Sequence, residues 1–440
     1  MTSADADADR ALRRVFILLA PAIALVVATE FIVVGLLPSI ATDLGVPLSI
    51  AGRLTAVFAI AAAVAGPAVT LVVSRVPPRA LLAGVLVLYA AGNGVIALAT
   101  DLTPMLLARA VQGALLPPFV GLGTAEVLRL APAASRGRAL ARANLGFVLG
   151  VLLALPAGIA LAQGGNWRLS FVVLAIVPLP VALAVGLLFP RSRRAHDGPP
   201  PGLAGQLALL RRPLFLGHLA LSVAIFAAMF SAYTYLGAWF EDVMGLDLNR
   251  LALALLLFGA VGVAGNSVAE RVADRRPLAA TVVTSAVLAI AVNIAAWTGG
   301  SILAAVVPLL VWGVLHTAGV TLSQVRVTMA GAEAPAFAMT LNISTANLGI
   351  AVGAVAGGWG IDRWGMAGFG VMPAALTVVA LLLVVPLSVR LRPGSRRLRH
   401  GPTAGSSRRT RRPPAPPRPW WPTPTETPGT SRDLRSPRVR

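Results

Sequence analysis

Apolar residues run through this chain in stretches of about twenty, each closed by a short cluster of proline, glycine or charge. The first stretch is Val15 to Leu37, VFILLAPAIALVVATEFIVVGLL, and Glu30 is its one ionisable residue. As a helix it would be about 34 Å long, enough to cross a hydrocarbon core of about 30 Å. It is too long for the apolar segment of a cleaved signal peptide, about 7–15 residues. The same pattern predicts spans near 15–37, 50–73, 80–99, 105–128, 139–162 and 168–189, then near 213–239, 251–269, 277–297, 301–324, 338–358 and 366–389. The fold class expected is therefore all-α and integral to a membrane, with twelve transmembrane helices in two six-helix bundles.

The polar breaks set the organisation. Residues 1–14 read as an N-terminal segment and 15–189 as the first bundle; 190–212, with RSRRAHDGPPPGLAGQ, reads as a linker. Residues 213–390 form the second bundle, and 391–440 are too rich in proline and arginine to pack, which predicts a disordered tail. The two halves echo each other at an offset of about 200 residues, as repeats in secondary transporters do. Asn144-Leu145-Gly146 returns as Asn347-Leu348-Gly349, and the segment Gly66 to Arg75 returns as Gly265 to Arg275.

Composition agrees with this pattern: 57% of residues are hydrophobic and 12% charged, where soluble domains carry about 25% charged. Mean hydropathy is +0.80. A net charge of +20 could suggest nucleic acid, but its placement argues against that. All 37 basic residues are arginine, thirteen of them in the tail, and most others fall in alternate short loops. Arg10, Arg13, Arg14, Arg75, Arg79, Arg129, Arg136, Arg138, Arg191, Arg193, Arg194, Arg211 and Arg212 mark one set of loops. Asp43, Asp101, Glu241, Asp242 and Asp247 mark the other. By the positive-inside rule both termini are expected in the cytoplasm. Cysteine is absent, which excludes a disulfide framework and thiolate metal sites.

No catalytic motif is present, and the four histidines have no metal-ligand spacing, so neither an enzyme, a metal nor a cofactor is expected. The candidate chemistry lies inside the spans. A carboxylate in a membrane helix is costly and must face protein or water, so Glu30 is the leading candidate for proton coupling. Its expected partner is Arg109 in the fourth span, about 5 Å from it in depth; Arg53, at the start of the second, is the rival. Such a pair can be a fixed structural element or a carboxylate that exchanges Arg109 for a proton. Polar and aromatic side chains in the seventh, tenth and eleventh spans could line a substrate cavity: Tyr233, Tyr235, His316, Gln324, Asn342 and Asn347. Lone histidines such as His218 and His316 are more often structural than functional.

At EFIVVGLLPSIATDLGVPLSIAGRLTAVFAI, LLARAVQG, PAGIALAQGGNWR, GNSVAERVADRRPL and LNISTANLGIAVGAVAGG the chain resembles the drug:proton antiporter-1 group of the major facilitator superfamily. It is most similar to arabinose-efflux-permease-like and chloramphenicol-efflux-like proteins, over about residues 12–390. The resemblance implies the major facilitator fold, alternating access and proton-driven export. It places a conformational loop motif on Arg75 and Arg79, without its usual acid, and a second copy on Asp274, Arg275 and Arg276. It places a helix-five motif on Pro156, Gly158 and Gln163, with Ala154, Ala162 and Asn166 where the group has glycine.

The expected function is a proton-coupled antiporter that exports small amphiphilic molecules such as antibiotics, hence a part in drug resistance. Its expected partners are that substrate, protons and the lipid bilayer, with no nucleic acid, and it is expected to be a monomer in the cell's inner (plasma) membrane. Two alternatives stay open: an uptake permease or facilitator for sugars or nucleosides, and a non-transporting membrane sensor or scaffold.

Overall fold

The computed structural model describes residues 3–73, 76–131, 136–162, 166–190, 208–273, 277–298 and 301–390. Most of the linker, the tail, and Arg75, Gln163, Asp274, Arg275 and Arg276 lie outside these residues. Within them the chain is helical throughout. In the first half it runs α1 (Ser3–Leu44), α2 (Leu48–Thr70), α3 (Pro78–Leu98), α4 (Leu102–Leu130), α5 (Arg136–Leu161) and α6 (Arg168–Leu188). The second half follows with α7 (Pro213–Asp242), α8 (Leu248–Ala273), α9 (Pro277–Ala296), α10 (Ile302–Ala330), α11 (Pro335–Trp364) and α12 (Gly368–Arg390).

Ten stretches among the described residues are long and apolar enough to cross a membrane; the last, Phe337–Ser388, contains both α11 and α12, and α5 adds the shorter apolar run Leu149–Leu161. Their outward faces are apolar, with Leu98, Leu303 and Val72 at least 80% exposed. In water that surface would drive association; against lipid it is the proper exterior. The chain is a multi-pass membrane protein.

Helix starts and breaks follow local chemistry. Asp101 caps α4 by accepting from the Thr103 amide, and α3, α7, α9 and α11 each open on proline. In α2 a π-turn at Ala61–Ala65 precedes Gly66-Pro67, where the proline offers no N–H. The seventh span is interrupted after Tyr233 and resumes at Leu236. Both ends of α1 differ from expectation: it begins at Ser3, within the expected N-terminal segment 1–14, and does not end near Leu37 but passes through Pro38 to Leu44. Pro38 leaves the Val34 carbonyl without its helical donor, and Gly237 of α7 packs so closely there that a Cβ would sit 2.9 Å from that oxygen.

The internal repeat is visible as geometry. In the first half, a Cβ on Gly146 would collide with the Ala20 carbonyl, and one on Gly150 would lie 2.8 Å from the Ala24 carbonyl. In the second half Gly349 faces the Val223 carbonyl and Gly353 the Ala227 carbonyl, at one constant offset. Thus α5 lies on α1 as α11 lies on α7. The crossing of α4 on α2 at Gly113 and Phe58 likewise returns as α10 on α8 at Gly313 and Phe258. The halves then meet along three seams: α2 with α11, the end of α7 with α1, and α5 with α8.

Candidate functional site

Where α1, α2 and α4 cross, the buried guanidinium of Arg109 is held by three main-chain carbonyls. Nε donates to Leu54 at 3.1 Å, Nη1 to Thr29 at 2.8 Å and Nη2 to Glu30 at 3.1 Å. Its underside stacks on Phe58, with Cζ 4.2 Å from the ring centroid. A planar fork suits this task and an ammonium would not. Arg109 is therefore at the depth of Glu30, while the rival Arg53 is exposed in the second turn of α2. The hydrogen bond between Arg109 and Glu30 goes to the main-chain carbonyl of this half-buried residue and leaves its carboxyl group to one side. That carboxyl lies in electrostatic range of Arg109, Tyr89 and Tyr233.

A second layer fixes this arrangement. Asn93 of α3 donates to the Thr29 hydroxyl at 3.0 Å and to the Leu174 carbonyl of α6 at 3.2 Å. Its own Oδ1 accepts from Gln112 at 3.3 Å, and the Tyr89 hydroxyl donates to the Gln112 carbonyl at 2.7 Å. Every member is buried, and four helices are tied around one turn of α1. Tyr89, Asn93 and Gln112 escaped the sequence reading. Their signal was present, as amide and phenol groups inside apolar spans.

Across the seam, the second half answers with rings. Phe31 of α1 lies 6.5 Å from Phe230 and 6.3 Å from Tyr233, centroid to centroid. Tyr233 stacks on His316 at 4.5 Å and 27°, and Phe230 and Phe258 close around the imidazole. His316 Nδ1 is buried without a hydrogen-bond partner. So Glu30 and the Tyr233–His316 pair face each other from opposite halves.

The other candidates lie apart from this centre. Tyr235 is fully buried at the break in α7, where its hydroxyl donates to the Ala354 carbonyl at 2.7 Å. Asn342 accepts from Ser222 and Ser323 in a cluster around Arg326, and Asn347 donates to the Ile343 carbonyl of its own helix. Gln324 and Pro156 are half-buried, Gly158 packs on Ile32, and Arg79 stands at the start of α3.

Comparisons with known proteins place this geometry. The family model described as Major Facilitator Superfamily matches residues 19–334. A chloramphenicol resistance protein of Streptomyces lividans is 32% identical over 338 residues, covering 76% of this chain and 86% of that protein. The inner membrane transport protein YdhP of Escherichia coli K12 is 32% identical over 373 residues, covering 83% and 93%. Among solved structures, a bacterial homologue of the human lysosomal transporter Spinster, inward-facing and occupied, aligns with a TM-score of 0.69. It is 16% identical and covers 85% of this chain and 95% of its own, a likeness of fold alone.

Proposed function

Because the chain belongs to the major facilitator superfamily, we propose that it is a proton-coupled antiporter that exports small amphiphilic molecules by alternating access. It is a transporter rather than an enzyme; among its relatives YdhP supports transport and the chloramphenicol resistance protein supports the export reading. The observation that carries the coupling is Glu30: a carboxylic residue, half-buried, in the middle of a membrane helix, beside an arginine three of whose five N–H groups are taken by main-chain carbonyls. Such a carboxyl is free to exchange a proton without dismantling the clamp around it.

In this reading Glu30 binds the proton and Arg109, which holds the turn of α1 that carries it, is its partner in coupling. The facing rings of Phe230, Tyr233 and His316 offer an apolar surface with polar edges for an amphiphilic substrate. The protein sits in the cell's inner or plasma membrane with both termini in the cytoplasm, as the arginine-rich loops indicate. It acts as a monomer built of two six-helix bundles, 15–189 and 213–390, and its loop motifs at Arg75, Arg79 and Asp274–Arg276 control the cytoplasmic side.

The test uses everted membrane vesicles energised so that protons accumulate inside. Antibiotics, nucleosides and sugars are added in turn while a pH-sensitive dye reports the lumen. Proton release on adding one class, lost in Glu30→Gln, establishes antiport and names the class. Transport of a labelled compound with no proton movement would replace antiport by facilitated diffusion.

A further inference from the structure

A second arginine is buried in the other half, on α10. Arg326 is 2% exposed, and among the described residues no carboxylate pairs with it. Nη1 donates to the His218 carbonyl at 2.8 Å and to its Nδ1 at 3.0 Å; Nη2 donates to the Ser222 hydroxyl at 2.8 Å. Nε is buried and has no partner.

The hydroxyls of Ser222 and Ser323 lie 2.8 Å apart, and both reach Asn342 Oδ1, at 3.2 and 3.0 Å. The cluster joins α7, α10 and α11, ten residues along α10 from His316, or about 15 Å of helix. It is separate from the Glu30 centre.

Counting donors against acceptors shows what is missing. A guanidinium brings five N–H groups and a full positive charge, and each hydroxyl brings one more donor. The acceptors available are the His218 carbonyl and Nδ1, the Ser222 and Ser323 oxygens and Asn342 Oδ1, and the Ser222 hydroxyl also reaches the His218 carbonyl. The charge-assisted donor left buried without any acceptor is Nε. Nε and Nη2 form the side-on edge of the guanidinium, the edge that takes a carboxylate in two parallel hydrogen bonds. In a membrane bundle an uncompensated charge is strongly disfavoured, so an anion on that edge relieves the deficit. We propose that Arg326, with Ser222 and Ser323, forms a binding site for a small monovalent anion, either a halide or a carboxylate group carried by a larger molecule. The site closes over its ligand, as the burial of all three side chains requires.

The experiment needs no proton gradient, so it stands or falls independently of antiport. The purified full-length protein is melted in detergent, with tryptophan fluorescence as the readout, in sodium chloride, sodium benzoate or sodium methanesulfonate at equal ionic strength. A ligand of the folded state raises the melting temperature saturably. The expected result is such a rise with chloride or benzoate over methanesulfonate. It should be lost in Arg326→Gln, and its half-point should move up roughly tenfold in Ser222→Ala, which loses one hydrogen bond to a charged group. A response to chloride identifies a free ion; a response to benzoate alone identifies a substrate-borne carboxylate. Equal melting in all three salts, or a wild-type response in Ser222→Ala together with any folded Arg326→Gln, overturns the proposal.

Discussion

Arg109 grips Glu30 by its main chain: Nη2 donates to the Glu30 carbonyl at 3.1 Å, and Nη1 to the carbonyl one residue before it. The arginine thus fixes the helix that carries the carboxyl and keeps its positive charge nearby, without a direct ion pair. The two roles separate by mutation. Glu30→Gln leaves the clamp intact, so the protein should melt at the wild-type temperature while gradient-driven export is lost. Counterflow of labelled substrate, which needs no net proton transfer, should persist. Lost counterflow would show that Glu30 serves the substrate and not the proton.

Arg109→Lys should be damaging despite its retained charge. One ammonium cannot reach carbonyls on Thr29, Glu30 and Leu54 while stacking on Phe58. Two lost hydrogen bonds from a charged donor amount to about 3–6 kcal/mol before relaxation. Both melting temperature and transport should fall, and a lysine variant with wild-type melting would refute the three-carbonyl clamp.

Asn93 lets the outer layer be tested without touching either charge. Asn93→Leu removes the links to Thr29, Leu174 and Gln112 and leaves the Gln112 amide with fewer partners. The expected cost is about 1–3 kcal/mol, from stranding buried polar groups. It should appear as a lower melting temperature and as a changed pH profile of export, because the turn that carries Glu30 loosens. A variant that melts lower yet keeps its pH profile would confine Asn93 to stability.

Much of this was legible along the chain, for identifiable reasons. Membrane spans are long and strongly apolar, so their order follows from composition with little competition from other folds. The depth match of Glu30 and Arg109 needed only the helical rise and the opposite directions of α1 and α4. The repeat showed as Asn-Leu-Gly in two places because carbonyl-to-glycine approach tolerates no side chain. What stayed hidden depends on rotation about each helix axis. Nothing in the sequence says that Arg109 turns to carbonyls, that Tyr235 enters a slot between halves, or that Asn342 joins Arg326 away from the Glu30 centre.

The glycine pairs support a matched comparison. Gly150→Val and Gly353→Val each drive a branched side chain toward a carbonyl of the facing helix, at Ala24 and Ala227. Gly84→Val and Gly121→Val enter open space, since nothing lies within 4 Å of a Cβ there. Overpacking typically costs about 1–3 kcal/mol, so the first two should lower the melting temperature and the second two should not. Equal losses in α5 and α11 would express the repeat as energetics. A neutral Gly353→Val would show that the α7–α11 contact gives way more easily than its geometry implies.

Tyr235 supplies a test of how the halves part. Its ring fills a slot between α2 and α11: a Cβ on Gly52 would collide with its hydroxyl, and one on Gly358 would lie 2.5 Å from it. Beside it Ser49 of α2 buries a hydroxyl without a partner, as do Thr55 of the same helix and Thr234, next to Tyr235 in the chain. Unsatisfied groups weigh against the closed seam and would be hydrated once it opens, so the seam is poised to part. The chain has no cysteine, so a single thiol at Thr55→Cys reports access cleanly. It should react slowly with a membrane-impermeant maleimide. Adding Tyr235→Phe removes the bond to the Ala354 carbonyl, which lies within the second half and anchors the ring in the slot; freeing the ring by about 0.5–1.5 kcal/mol should speed labelling by at most about 10-fold. Gly358→Leu, which evicts the ring altogether, should speed it further. If both double variants label at the parent rate, Tyr235 is packing and not a gate, and the seam opens elsewhere.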